Sequence, residues 1–147
     1  MTGDTPPTDD WAARRREAAD EHSARLDRAR SAEADEARAL LAQFVADALE
    51  RGLPAVALRA RALNGRTLYR TGLTGWYLRR NGTIAVDRHG DFYVMSAPTS
   101  LQARLRGTTL TPSEPPMVPG AGGRDGESMP LPDLLRQRLA AGETWDR

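Results

Sequence analysis

The chain has 147 residues, 39% of them hydrophobic and 5% aromatic, which is the size and composition of one ordinary water-soluble domain with a modest apolar reserve. It has no cysteine, which excludes a disulfide framework, a thiolate zinc site, an iron–sulfur cluster and a cysteine nucleophile, and no run approaches the roughly 18 apolar residues of a membrane helix. Its net charge is +1, and every one of the 21 basic residues is arginine. A lysine-free, Ala- and Arg-rich composition is what GC-rich coding sequence tends to write, so arginine at any single site carries less information than usual. Met1 to Pro7 lack the basic and then apolar stretch of a secretory signal, so a cytoplasmic setting without a membrane partner is expected.

Residues 1–8 are too polar and turn-prone to pack and read as a disordered start. From Trp11 to Arg51 there is no Gly or Pro, Ala, Arg, Glu and Leu dominate, and Gly52 and Pro54 supply a stop, so the spacing predicts a helical region over 9–51. Its second half repeats Ala37, Leu40, Leu41, Phe44, Val45, Ala48 and Leu49 at three and four residues, giving one apolar face that should dock on a core. The first half offers little besides Trp11 and Leu26. An unbroken helix over 11–51 would span about 60 Å, against roughly 40 Å for a compact chain of this length, so it either breaks near Ser31 or projects.

Between 53 and 96 the period changes to alternation. Three loops, Leu63-Asn64-Gly65, Arg80-Asn81-Gly82 and Arg88-His89-Gly90, each end in glycine and suit a three-residue hairpin turn. In that register Leu78 faces Ile84, Trp76 faces Val86, Val86 faces Phe92 and Ile84 faces Val94. One face then collects Trp76, Leu78, Ile84, Val86, Phe92 and Val94, a surface for the Leu40–Leu49 helix face to cover. Pro54, Ala and Leu could describe a short helix over 55–62, but the alternation of Val56, Leu58 and Ala60 with Arg59 and Arg61 favours a strand. Residues 97–130 lose periodicity and form a loop-rich connector, with a turn or two of helix over Leu101–Arg106. A short closing helix follows over 131–142, with Pro132 at its start and Gly142 as its stop. The expected fold is α+β: a long N-terminal helix, whole or broken, packed on an antiparallel meander of about five strands, with a short C-terminal helix, forming one domain over 9–142.

The segments Gly75-Trp76-Tyr77-Leu78, Asp91-Phe92-Tyr93-Val94 and Gly122-Gly123-Arg124-Asp125-Gly126-Glu127-Ser128 resemble a set of short, uncharacterised proteins of high-GC bacteria over about residues 53–140. The resemblance implies no activity.

On the sheet face opposite Trp76, the expected register sets Tyr77, Ala85 and Tyr93 in a row, places Arg59 beside Tyr69 and Arg61 beside Thr67, and adds Arg79. Arginine and tyrosine on an open sheet can hold phosphates and stack on unpaired bases. The contrasting reading is a solvated face, or one covered by another part of the chain. Asp87, His89 and Asp91 alternate as metal ligands could, yet their positions suit a turn, and no metal or other cofactor is called for. The loop over Gly120–Ser128 lacks the strand, the lysine and the helix of a phosphate cradle. Arg124, Asp125 and Glu127 could still order it against a partner. Six serines and two histidines show no nucleophile context.

The expected function is therefore non-catalytic interaction, by a protein partner or self-association, with Trp11 and Leu26 as helix contacts. The alternatives are a nucleic-acid platform made of Arg59, Arg61, Tyr69, Tyr77, Arg79 and Tyr93, or a small-ligand or catalytic cleft between helix and sheet. Charge is unevenly spread: residues 1–38 carry −3, 39–80 carry +5 and 81–147 carry −1. The basic excess sits in the first strands of the sheet.

Overall fold

The computed structural model of the chain describes residues 7–120 and 128–143. Eight elements follow in order: α1 (Pro7–Glu50), β1 (Val56–Ala62), β2 (Leu68–Tyr77), β3 (Ile84–Asp87), β4 (Phe92–Val94), β5 (Ser96–Ala97), α2 (Leu101–Arg106) and α3 (Leu131–Ala141). The fold is α+β, with the long N-terminal helix, a mostly antiparallel five-stranded sheet and a short C-terminal helix. The chain divides into two compact units, Met1–Glu33 and Ala34–Arg147.

α1 is one helix of 44 residues with no break at Ser31. A run without Gly or Pro has no backbone reason to stop, and strong helix formers carry it from turn to turn. It ends in a Schellman motif: Gly52 takes φ 70°, its N–H donates to Leu49 O, and Leu53 N–H donates to Ala48 O at 2.8 Å. In the first unit its residues from 10 to 33 are exposed except for the half-buried Ala12. In the second unit Ala34, Ala37, Leu41, Phe44, Val45 and Ala48 are buried.

The second unit is built around the sheet, in the order β4-β3-β2-β1-β5. The two later hairpins keep the expected register: Trp76 pairs with Val86, Ile84 with Val94 and Val86 with Phe92, and Leu78 N–H donates to Ile84 O. Gly82 and Gly90 take positive φ, 69° and 88°, as those turns require. Trp76, Leu78, Ile84, Val86 and Phe92 form the main core with Leu41, Phe44 and Val45 of α1 and Leu131, Leu134 and Leu135 of α3. Trp76 is fully buried, stands edge-on to Phe44 at 6.0 Å, and donates its indole N–H to Leu53 O. Val94, expected on this core, is instead 48% exposed because it lies past the covered strip at the end of β4.

Three features differ from expectation. The first hairpin is one residue longer, because Asn64 Oδ1 accepts from the N–H groups of both Arg66 and Thr67 and draws Arg66 into the loop. The pairs are then Arg59 with Arg70, Ala60 with Tyr69 and Arg61 with Leu68, not Arg59 with Tyr69 and Arg61 with Thr67. Second, the sheet is not a pure antiparallel meander: residues 68–77 form one long strand, and the fifth strand is β5, which pairs parallel to β1. Third, the two ends of the sheet are one stretch of chain. Met95 N–H donates to Thr83 O on one side, while Met95 O accepts from Arg61 N–H on the other. The sheet thus curls on itself, with residues 95–97 joining the end of β1 to the β3–β4 side.

Curling turns the face opposite Trp76 inward. Leu58, Ala85, Tyr93 and Met95 form a second core with Leu73, Tyr77 and Leu110. Ala60, Ala62, Tyr69, Ala97 and Ala103 form a third, so α2 and Leu110 from the connector plug the interior. The connector also adds to β4, where Ser113 N–H donates to Phe92 O at 2.8 Å.

Candidate functional site

The three tyrosines of the expected platform do not lie on an open surface. Tyr69 is 2% and Tyr93 5% exposed, and Tyr77 is half-buried. Each hydroxyl is engaged within the fold. Tyr69 Oη accepts from Ser100 N–H, the residue that caps α2; Tyr77 Oη accepts from Arg59 N–H; and the Tyr93 hydroxyl donates to Asp87 Oδ2. Burial, reinforced by the negative charge of Asp87, pushes the Tyr93 phenol up to about 12. Arg79 is half-buried and donates to Pro119 O at 2.6 Å, which ties the connector to the end of β2. All four side chains are tied into the fold, and none of the three tyrosine rings lies on an open sheet face for base stacking.

Asp87 is the start of a turn. Its Oδ1 accepts from the N–H groups of His89 and Asp91, at 2.9 and 3.0 Å, while His89 points into solvent at the loop tip. Trp11 and Leu26, in the first unit, are 56% and 45% exposed, and the Arg15 guanidinium lies over the Trp11 ring at 3.8 Å. Arg124, Asp125 and Glu127 lie outside the described residues. A hollow of about 190 Å³ is lined by Arg38, Asp91, Ser113 and Glu114 among others. It is smaller than the roughly 300 Å³ at which small-molecule sites begin, and Arg38 is already paired with Asp35.

Only Arg59 and Arg61 of the expected face remain open, and the structure gives them different neighbours. They stand on the exterior of β1, opposite Arg70 and Leu68 on β2, and all four are exposed. The end of α2 lies against the same stretch of β2. Arg70 Nη2 donates to Leu105 O, and Thr108 N–H donates to Arg70 O. Gly107 is needed there, because a Cβ would come within 2.7 Å of Arg70 O at a φ of +84°. α2 is anchored by the buried Ala103, while Leu101 and Leu105, one turn apart, are 77% and 76% exposed, with Arg104 and Arg106 exposed beside them.

The resulting face joins arginine and leucine and has no acid in its own chain segments, since neither 51–86 nor 92–113 contains one. Among the described residues its arginines have no carboxylate partner; ion pairs join Arg14 to Asp10, Arg38 to Asp35 and Arg136 to Asp133. Arg70, Leu68, Leu101 and Leu105 were not among the expected site residues. The acid-free stretch and the Leu101–Leu105 spacing were visible signals, but the expected hairpin register turned Arg70 away from Arg59.

No protein-family model matches the chain, and neither does any curated protein or solved structure. Among the described residues no helix is long and apolar enough to cross a membrane.

Proposed function

We propose that this protein is a non-catalytic interaction domain of the cytoplasm that binds a protein partner through the exterior of β1 and β2 and the adjoining α2. The observation that carries this reading is the pair Arg59 and Arg70, like charges directly across two strands, both exposed and, among the described residues, without a carboxylate partner. Such a pair is unfavourable in the free chain. It becomes favourable when a partner supplies the negative charge. The exposed leucines beside it favour a protein over a nucleic acid, because every tyrosine that could have stacked on bases is engaged inside the fold.

The test is photo-crosslinking in the native cell, with the reactive group at position 63, 101 or 105 of the tagged full chain. A discrete partner protein captured from these positions is expected. Capture of none from any position on the chain would refute an interaction role. Self-association through the first unit is a second version, favoured by the exposure of Trp11 and Leu26. Light scattering that returns a monomer at all concentrations would remove it.

A further inference from the structure

The chemistry of this face selects its partner further, on the premise that the interaction reading holds. We propose that it docks an acidic protein segment whose carboxylates meet Arg59, Arg61 and Arg70 and whose apolar side chains meet Leu101 and Leu105. Two observations carry the inference. The first is charge complementarity. Three exposed arginines project from one side of a two-stranded ribbon, Arg104 and Arg106 stand on the helix beside it, and the two segments that build the face contain no acid. Arg61 and Arg70 each hold a backbone carbonyl, Gly65 O and Leu105 O, so these guanidinium forks are partly set in place before a ligand arrives. A guanidinium has five donors, and one such bond leaves the others for carboxylate oxygens.

The second observation is the leucine pair. A six-residue helix that buries only Ala103 had no need of Leu101 and Leu105 on its outer side, where each is more than three-quarters exposed. A purely electrostatic site would not gain from them. A segment that carries acidic and apolar side chains together on one face satisfies both sets, burying its apolar side chains against the leucines while its acids neutralise the flanking arginines. Nucleic acid would leave the leucines wet. An anionic lipid surface would have to take up a helix of six residues, short of the usual interfacial amphipathic helix.

The experiment uses the full chain and fluorescence anisotropy with four probes: a 20-residue peptide of glutamate and leucine at helical spacing, polyglutamate of equal charge, a 20-nucleotide single-stranded RNA, and phosphatidylserine vesicles. The mixed peptide is expected to bind at least tenfold more tightly than each of the other three. Arg59→Gln with Arg104→Gln, and separately Leu101→Gln with Leu105→Gln, should each weaken the mixed peptide at least tenfold. All four positions are exposed, so a melting temperature no lower than the parent's is expected and certifies the fold. Equal binding of polyglutamate, or tighter binding of RNA or vesicles, overturns the proposal, as does mixed-peptide binding unaffected by either double variant. Failure here with a partner still crosslinked from another surface of the chain would leave the interaction reading standing and remove only this one.

Discussion

The Tyr77 hydroxyl accepts a hydrogen bond from the Arg59 main-chain N–H at 2.8 Å, reaching from β2 to the point where the β1 register shifts between Ala57 and Arg59. A bulge leaves an amide outside the ladder, and the phenol supplies its acceptor. Thr71 works at the same irregularity, its Oγ1 donating to Leu58 O at 2.6 Å. Tyr77→Phe should therefore cost about 0.5–1.5 kcal/mol, measured by urea unfolding, with the ring's packing against Leu58 and Met95 retained. Tyr77→Ala should cost more, because a void opens inside the sheet. Equal stability of Tyr77→Phe and the parent chain would show that water replaces the phenol without loss.

Gly75 allows β2 and β3 to approach. A Cβ there would stand 2.0 Å from Val86 O and 2.6 Å from Asp87 Cα, both backbone atoms that cannot move without opening the strand pair. Gly75→Ala should destabilise at or beyond the upper end of the roughly 1–3 kcal/mol typical of overpacking. Gly65→Ala is the control. It meets nothing within 4 Å and bears only the strain of φ +76°, so a cost of about 1–2 kcal/mol is expected. A Gly75→Ala chain as stable as the Gly65→Ala chain would contradict the close approach.

Much of this architecture was legible in the residues. Asn81-Gly82 and His89-Gly90 fixed their hairpins because a glycine closing the loop leaves one good pairing, and the apolar alternation agreed with it. Asn64-Gly65 carries the same letters, yet its pairing differs by one residue. Both asparagines accept from the amide two residues on, but Asn64 Oδ1 also takes the Thr67 N–H, three on, where Asn81 Oδ1 takes the Thr83 hydroxyl. That one-residue slip moved Arg59 and Arg61 from the Tyr69 face to the face of Leu68 and Arg70, and with it the identity of the functional face. Sheet closure was not legible, because it depends on Met95 meeting Arg61, 34 positions earlier in the chain, and no local pattern encodes that distance. Without closure, Tyr77 and Tyr93 read as surface residues.

The Tyr93–Asp87 bond predicts how stability depends on alkali. The phenol is pushed from 10.0 up to about 12 in the folded chain, so the folded state holds its proton where the unfolded state has released it. The contribution is complete below pH 10 and is lost as pH rises from 10 towards 12. Urea midpoints between pH 8 and 11.5 should fall above pH 10, and Tyr93→Phe, less stable at pH 8 for want of the bond to Asp87, should show a shallower decline. Parallel declines in the two chains would assign the alkaline loss to other groups.

Arg59 and Arg70 lead to a prediction in which stability and binding move oppositely. In the free chain the pair is two like charges across adjacent strands. Replacing one with a carboxylate turns mild repulsion into attraction, so Arg59→Glu should stabilise the chain by about 0.2–1 kcal/mol at low salt. The gain should shrink as added salt screens exposed charges. The same change places a negative charge at the centre of the face, where an acidic segment would sit, and should weaken the glutamate–leucine peptide more than Arg59→Gln does. A residue kept only for the fold would show the reverse, with stability lost on charge reversal. Urea titrations of the parent, Arg59→Gln and Arg59→Glu chains in about 20 mM and 500 mM salt separate the two cases. Stability falling from arginine to glutamine to glutamate would mean that the fold itself satisfies Arg59, and that its charge is not held for a partner.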